Sequence, residues 1–163
     1  VKIKKLSGFL LMKNFLSRTS IKKKRILLVN PNANDSKINY RFLKKKNFLN
    51  IYSYIAPQYN APHLFNDHKL FKVIKNFKPD IILINIGGEK QELLARCIHK
   101  NIQNKKISIF CLGAAISFFT GAQAKVTVLT DKFYLGWLVR WIREPYKYWP
   151  RVFNSLKLMK FFF

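Results

Sequence analysis

Four short, uninterrupted apolar runs dominate the middle of this sequence. They occupy residues 26–29 (Ile-Leu-Leu-Val), 51–55 (Ile-Tyr-Ser-Tyr-Ile), 81–84 (Ile-Ile-Leu-Ile) and 107–112 (Ile-Ser-Ile-Phe-Cys-Leu), with starts 25, 30 and 26 residues apart. A strand with one wet face alternates apolar and polar residues, whereas a strand covered on both faces does not. The runs therefore predict buried strands. Between them lie segments with helical spacing. Residues 35–46 open on Asp-Ser, a cap signal. Residues 67–77 place Leu70, Phe71, Ile74 and Phe77 on one face, and residues 89–101 do the same with Leu93, Leu94, Cys97 and Ile98. Strand, helix, strand at this period is the βαβ unit. Its repetition predicts an α/β fold, a parallel sheet of about four strands with helices on both faces. The second run is the least secure of the four, because a long turn-like stretch, 56–62, follows it.

The sequence after residue 131 has another character. Phe133, Trp137 and Trp141 recur every four residues, while Lys132, Gly136, Arg140 and Arg143 trace a second face. Glu144-Pro145 ends that helix, since the residue before proline avoids the helical region. Trp149, Val152, Phe153, Leu156 and Met159 form the stripe of a further helix, with Arg151, Lys157 and Lys160 off it. Two basic, aromatic, amphipathic helices suit a membrane-surface anchor. Packing on the sheet is the other use of the same stripes. The expected organisation is a domain over 1–131 and a helical appendage over 132–163.

With 31 Lys+Arg against 7 Asp+Glu, the net charge is +24, which draws the chain to polyanions without choosing among them. Part of this is compositional: 24 Lys, 7 Arg and 14 Asn are a mix that AT-rich codons favour. A basic nucleic-acid-binding protein is therefore an alternative, but the lysines are spread over the chain and no known binding motif appears, so nucleic acid is not favoured. Cys97 and Cys111 offer neither a disulfide framework nor metal spacing, and both read as reduced, packed thiols of a cytoplasmic protein. The stretch 107–124 lacks charge for 18 residues but contains two glycines and several polar residues, so a strand ending at glycine fits it better than a membrane span. The basic and then apolar N-terminal stretch lacks the small-residue site of a secretion signal. Val1 marks an alternative start or a fragment.

In open α/β sheets, ligands bind beyond the carboxyl ends of the strands. Three such ends stand out here: Asn30-Pro31-Asn32, Asn85-Ile86-Gly87-Gly88 followed by Glu89-Lys90-Gln91-Glu92, and Gly113-Ala114-Ala115. Glycine permits a sharp turn and a close backbone approach, and the next helix start would offer N–H groups to a diphosphate. Lys90 would add charge, while Glu89 and Glu92 suit sugar hydroxyls better than phosphate. A structural turn is the competing reading of Gly87-Gly88. His63, His68 and His99 are scattered, and neither a metal site nor a cofactor motif is expected. Asp80, between Pro79 and a strand, reads as structural.

Residues 84–92 (Ile-Asn-Ile-Gly-Gly-Glu-Lys-Gln-Glu) resemble the strand–glycine–KQE segment of the WecG/TagA/CpsF glycosyltransferases. Residues 111–121 are similar to that family's second glycine-and-phenylalanine segment, and residues 134–145 to its Trp-Leu-x-Arg…Glu-Pro tail. Leu6, Ser7, Gly8 and Met12 look like the helix that opens the family's second half. The resemblance implies a Rossmann-like fold and a bacterial enzyme of cell-surface polysaccharide synthesis. It would move an N-acetylhexosamine, of the N-acetylmannosamine type, from a UDP-sugar donor to a polyprenyl-diphosphate-linked acceptor. It would lie peripherally on the inner face of the cell membrane. By motif match, Gly87, Gly88, Gln91, Glu92 and Gly113 would border the nucleotide-sugar. Arg140, Arg143 and Arg151 would face lipid headgroups or the acceptor diphosphate. The family's first half, with its catalytic aspartate, has no counterpart in this sequence, so the resemblance assigns no catalytic residue. A truncated form, a noncatalytic membrane-associated remnant, and a homo-oligomer or partner chain supplying the rest all follow as expectations.

Overall fold

The computed structural model describes residues 7–102, 106–121 and 146. The described elements all fall within the first of two compact units, Val1–Thr120, and the second spans Gly121–Phe163. The helices expected within 132–163, with Arg140, Arg143 and Arg151, lie outside the described residues. The chain order is α1 (Gly8–Ser17), α2 (Thr19–Lys22), β1 (Arg25–Asn30), α3 (Ala33–Lys45), β2 (Asn50–Ile55), a 3-10 turn (Pro62–Phe65), α4 (His68–Phe77), β3 (Ile81–Ile84), α5 (Lys90–Asn101), β4 (Ser108–Cys111), a second 3-10 turn (Gly113–Ile116) and α6 (Ser117–Thr120).

The four strands form a single sheet in the order β2-β1-β3-β4, and every pairing is parallel. Each apolar run of the sequence is one of these strands, the doubtful second run included. Ile26, Leu27, Leu28 and Val29 of β1, and Ile82, Leu83 and Ile84 of β3, are fully buried. Successive side chains point to opposite faces. Leu27, Val29, Ile82 and Ile84 pack under Leu70 and Ile74 of α4 and Leu94 and Ile98 of α5. Ile26, Leu28 and Leu83 pack under Met12 and Phe15 of α1 and Leu43 of α3. The result is three layers, helix–sheet–helix. Right-handed crossovers explain the partition. The connection from β1 to β2 runs one way along the sheet, and those from β2 to β3 and β3 to β4 run the other, so α3 covers one face and α4 and α5 the opposite one.

Burial on both faces holds only for the central pair. The edge strands β2 and β4 are half-buried, with Tyr52 and Ile55 exposed on β2. The expectation of four doubly covered strands therefore holds for two, because an edge strand has a helix beside it on one flank only. The uncharged stretch beginning at Ile107 is strand, turn and short helix as far as Gly121, and no helix among the described residues is long and apolar enough to cross a membrane.

Helix starts follow local chemistry. The Ser7 hydroxyl accepts from the Leu10 N–H at 3.1 Å, and the Asp67 carboxylate accepts from the Leu70 N–H at 3.1 Å. Helix α3 is capped by Asn32, whose side-chain oxygen accepts from the Asp35 N–H at 2.8 Å, so the cap lies earlier than the Asp-Ser pair suggested. At the amino ends of the strands, the Asp80 carboxylate accepts the Arg25 N–H at 2.8 Å and lies 3.7 Å from the Arg25 Nε, the structural role expected of it.

The fully buried side chains of β1 carry the largest predicted stability effect. Leu28→Ala should cost about 2–5 kcal/mol, because the lost transfer energy is joined by a cavity between sheet and helices. Urea unfolding checks this, and a loss under about 1 kcal/mol would show that the central strand is not the core.

Candidate functional site

Strand β1 has neighbours on both sides, and the chain leaves it in one direction and returns in the other. The point where crossovers part, beyond the carboxyl ends of β1 and β3, is the expected ligand position of such a sheet. Asn30 ends β1 there, and Asn85 follows β3 directly, its N–H donating to the Val29 carbonyl at 2.8 Å.

These two asparagines belong to a buried polar network. Asn30 Oδ1 accepts from Asn39 Nδ2 at 2.8 Å and from Asn85 Nδ2 at 3.1 Å. Asn30 Nδ2 donates to the Ser53 hydroxyl at 2.9 Å, which lies 2.7 Å from the Ser36 hydroxyl. Asn30, Asn39 and Asn85 are almost wholly buried. Asn85 Oδ1 is buried with no partner, a state that costs about 1–3 kcal/mol. The sequence reading named Asn30 and Asn85 as strand ends but missed Asn39, Ser36 and Ser53. A local signal existed for one of them: Asn39 lies four residues before Leu43, on the stripe that α3 turns to the sheet.

Past Asn85 the chain makes a strained turn. Gly87 and Gly88 are exposed, with open space where a Cβ would sit. Glu89 follows with φ 61° and ψ −52°, and the Lys90 N–H donates to the Gly88 carbonyl at 2.8 Å. This is a γ-turn centred on a non-glycine residue, a rare and strained conformation. Such strain costs about 1–3 kcal/mol and concentrates at functional sites. The turn also corrects one expectation. The Lys90 and Gln91 N–H groups are not free for a diphosphate, since they donate to the Gly88 and Gly87 carbonyls at 2.8 and 3.2 Å. What the start of α5 retains for an anion is its dipole and the Lys90 ammonium, which donates to Asn60 Oδ1 at 3.3 Å.

Gln91 joins the segment that follows Gly87 and Gly88 to the one that begins at Gly113. Its Oε1 accepts the Gly113 N–H at 2.7 Å, and its Nε2 donates to Glu92 Oε1 at 2.7 Å. Gly113 has φ +53°, a left-handed conformation that favours glycine. The structure thus brings Gln91, Glu92 and Gly113 into one hydrogen-bonded group, with Gly87 and Gly88 one turn before it. Cys111 belongs here too. It is exposed rather than packed, its thiol donates to the Gln91 carbonyl at 3.6 Å, and partial burial and the Glu92 carboxylate push its pKa up. Cys97, on α5, is half-buried against the core beneath that helix, as expected of it. His68 and His99 are exposed on their helices. Among the described residues, no three His, Cys, Asp or Glu side chains gather to hold a metal ion.

The loop after β2 is fastened by a second buried group. Asp67 Oδ2 accepts from the Tyr54 hydroxyl at 2.7 Å and the Tyr59 hydroxyl at 2.9 Å, and the Tyr59 ring stacks on Phe65 at 5.0 Å. Burial first, and then the bond to the Asp67 carboxylate, push both phenols well above their ordinary pKa of 10.0.

A family model described as "Glycosyl transferase WecG/TagA/CpsF family" matches residues 2–163. No curated protein matches the chain.

Two outcomes follow from this geometry. A phenol whose folded-state pKa is raised contributes stability that is complete below pH 10 and declines above it, as the unfolded chain ionises first. The raised Cys111 thiol begins this decline near pH 9, and the urea midpoint should therefore fall more steeply above about pH 10, with less of that steeper fall in Tyr59→Phe; equal slopes in the two proteins would contradict the Asp67 group. Gly113→Ala should cost about 1–2 kcal/mol, from conformation alone. The nearest atoms to an added Cβ are 3.6–3.7 Å away, so no clash contributes. An unchanged urea midpoint would remove the positive φ.

Proposed function

The chain belongs to the WecG/TagA/CpsF glycosyltransferase family, a family of cell-surface polysaccharide synthesis, and on that premise we propose that the carboxyl ends of β1 and β3 bind the nucleotide part of a UDP-sugar. The sugar is an N-acetylhexosamine of the N-acetylmannosamine type, and the acceptor is a polyprenyl-diphosphate-linked sugar at the inner face of the cell membrane. The observation that carries this reading is the strained γ-turn at Glu89, set on the family's glycine–KQE segment at the switch point of the sheet. Gly87 and Gly88 leave the backbone open to close approach. Lys90 and the amino end of α5 face the charge that develops on the diphosphate as the glycosidic bond breaks, where positive potential lowers the barrier. Gln91 acts by holding Gly113, and Glu92 by holding the Gln91 amide.

Arg140, Arg143 and Arg151 are assigned to lipid headgroups or the acceptor diphosphate, on the residues of the sequence alone. The same holds for the division into a nucleotide-sugar domain, 1–131, and a membrane-associating appendage, 132–163. The base that takes the acceptor hydroxyl's proton is not assigned to a residue of this chain, and a partner chain that supplies it belongs to the same reading.

Thermal unfolding with increasing UDP tests the proposal. At a hundredfold excess over Kd the bound state gains about 2.7 kcal/mol, which raises the midpoint by roughly 5–10 °C for a chain of this size. A midpoint that climbs with the logarithm of UDP concentration above Kd is expected, with a smaller rise at equal UDP in Lys90→Ala. A cooperative transition that UDP leaves unmoved would overturn the nucleotide site.

A further inference from the structure

The strongest concentration of one charge lies away from the glycine turn. Residues 22–25 read Lys-Lys-Lys-Arg and residues 44–46 read Lys-Lys-Lys. The fold clips the two together across Leu49. The Leu49 N–H donates to the Lys22 carbonyl at 3.0 Å, and the Lys44 ammonium donates to the Leu49 carbonyl at 2.7 Å. Asn50 Nδ2 adds a bond to the Lys23 carbonyl at 3.1 Å. The neighbouring Phe48 is buried and stacks on Phe15 at 5.7 Å, which leaves the Leu49 side chain 58 % exposed between the two basic clusters.

Helix α3 extends this surface. Lys37, Arg41, Lys44 and Lys45 share its exposed side, opposite the buried Asn39 and Leu43. Residues 7–66 contain eleven Lys and Arg and a single acid, Asp35, which accepts from Asn32 Nδ2 at 2.9 Å. Arg25 pairs with Asp80, and among the described residues the other bases of the two clusters and of α3 have no ion pair. Crowded like charges repel one another, and an anionic partner relieves that repulsion.

We propose that this face docks the protein on an anionic lipid surface, with Leu49 entering the headgroup layer between the lysine clusters. It is a contact separate from the segment 132–163, and it does not depend on the nucleotide-sugar reading. Three features favour lipid over nucleic acid. Seven of the nine bases (residues 22–25, 37, 41 and 44–46) are Lys, point charges that need no paired geometry. The face is the side of a helix and a chain corner with an exposed aliphatic residue at its centre, the pattern of an interfacial surface. The aromatic ring at this face, Tyr40, lies under the Lys44 ammonium at 5.7 Å and so is not a free stacking platform. Helix α3 starts just past the end of β1, so a protein lying on it keeps the switch point of the sheet at the rim of the contact.

Co-sedimentation of the full chain with phosphatidylcholine vesicles, with and without 30 % phosphatidylglycerol, tests this. Binding should require the anionic lipid. Lys44→Gln/Lys45→Gln/Lys46→Gln should weaken it by about a hundredfold, since each base near the surface contributes roughly fivefold. Leu49→Ser should weaken it by about tenfold without moving the urea midpoint, because the side chain is exposed. Retained binding in the triple variant would overturn the proposal and leave lipid contact to 132–163, as would loss confined to Arg140→Gln/Arg143→Gln/Arg151→Gln. Unchanged binding in Leu49→Ser, together with capture of a short RNA that the triple variant loses, would reassign the face to nucleic acid. The UDP response of each variant, measured in parallel, keeps a failed nucleotide site distinguishable from a failed lipid face.

Discussion

Double-sided burial of β1 and β3 is the constraint on which the rest of this structure depends. A strand in the middle of a parallel sheet has no wet face, so it must be apolar at every position and must have a helix layer above and below. Ile26 to Val29 and Ile81 to Ile84 meet that demand. Once they do, the parallel pairing requires crossover helices, and the handedness of those crossovers sends α3 to one face and α4 and α5 to the other. The switch point beyond Asn30 and Asn85 is a consequence of the same wiring.

Polar chemistry begins where the apolar runs stop. Asn30 and Asn85 lie one residue past the last aliphatic side chains of their strands, still inside the protein, so each must find hydrogen-bond partners there. They find each other and Asn39, and through Asn30 the hydroxyls of Ser53 and Ser36. The orphaned Asn85 oxygen and the γ-turn at Glu89 are adjacent departures from satisfied, relaxed backbone and side chains. Sequence-level rules that fail together mark this turn as the candidate site, because strained backbone and unpaired buried polar atoms concentrate where ligands bind. The bonds that the Gly113 N–H donates to Gln91 Oε1 and the Cys111 thiol donates to the Gln91 carbonyl then tie the end of β4 to the start of α5, so the glycine segments are joined.

Electrostatics supplies the other theme. A chain with this excess of lysine repels itself, and the fold does not scatter the charge evenly. It places Lys22–Lys24 and Lys44–Lys46 side by side and leaves Leu49 exposed between them. The family implies a donor and an acceptor, but net charge alone does not identify which surface meets which anion.

Much of the architecture was legible in the amino-acid sequence. The four apolar runs and the helical stripes between them are local patterns with local causes, and they determine an α/β chain with a parallel sheet. The candidate turn was legible for the same reason, because glycines after a strand and before a helix announce themselves within a few residues. Other features were decided only by tertiary structure. The gathering of Asn30, Asn39 and Asn85, the strain at Glu89, the use of the Lys90 and Gln91 N–H groups by the turn itself, the exposure of Cys111, and the meeting of two lysine clusters at Leu49 belong here. The asparagine network rests on hydrogen bonds that span up to 55 residues, as between Asn85 and Asn30, and contacts at such separations leave no period in the sequence to read. The turn at Glu89 rests on local bonds, but in a positive-φ conformation that the preferences of a non-glycine residue do not announce.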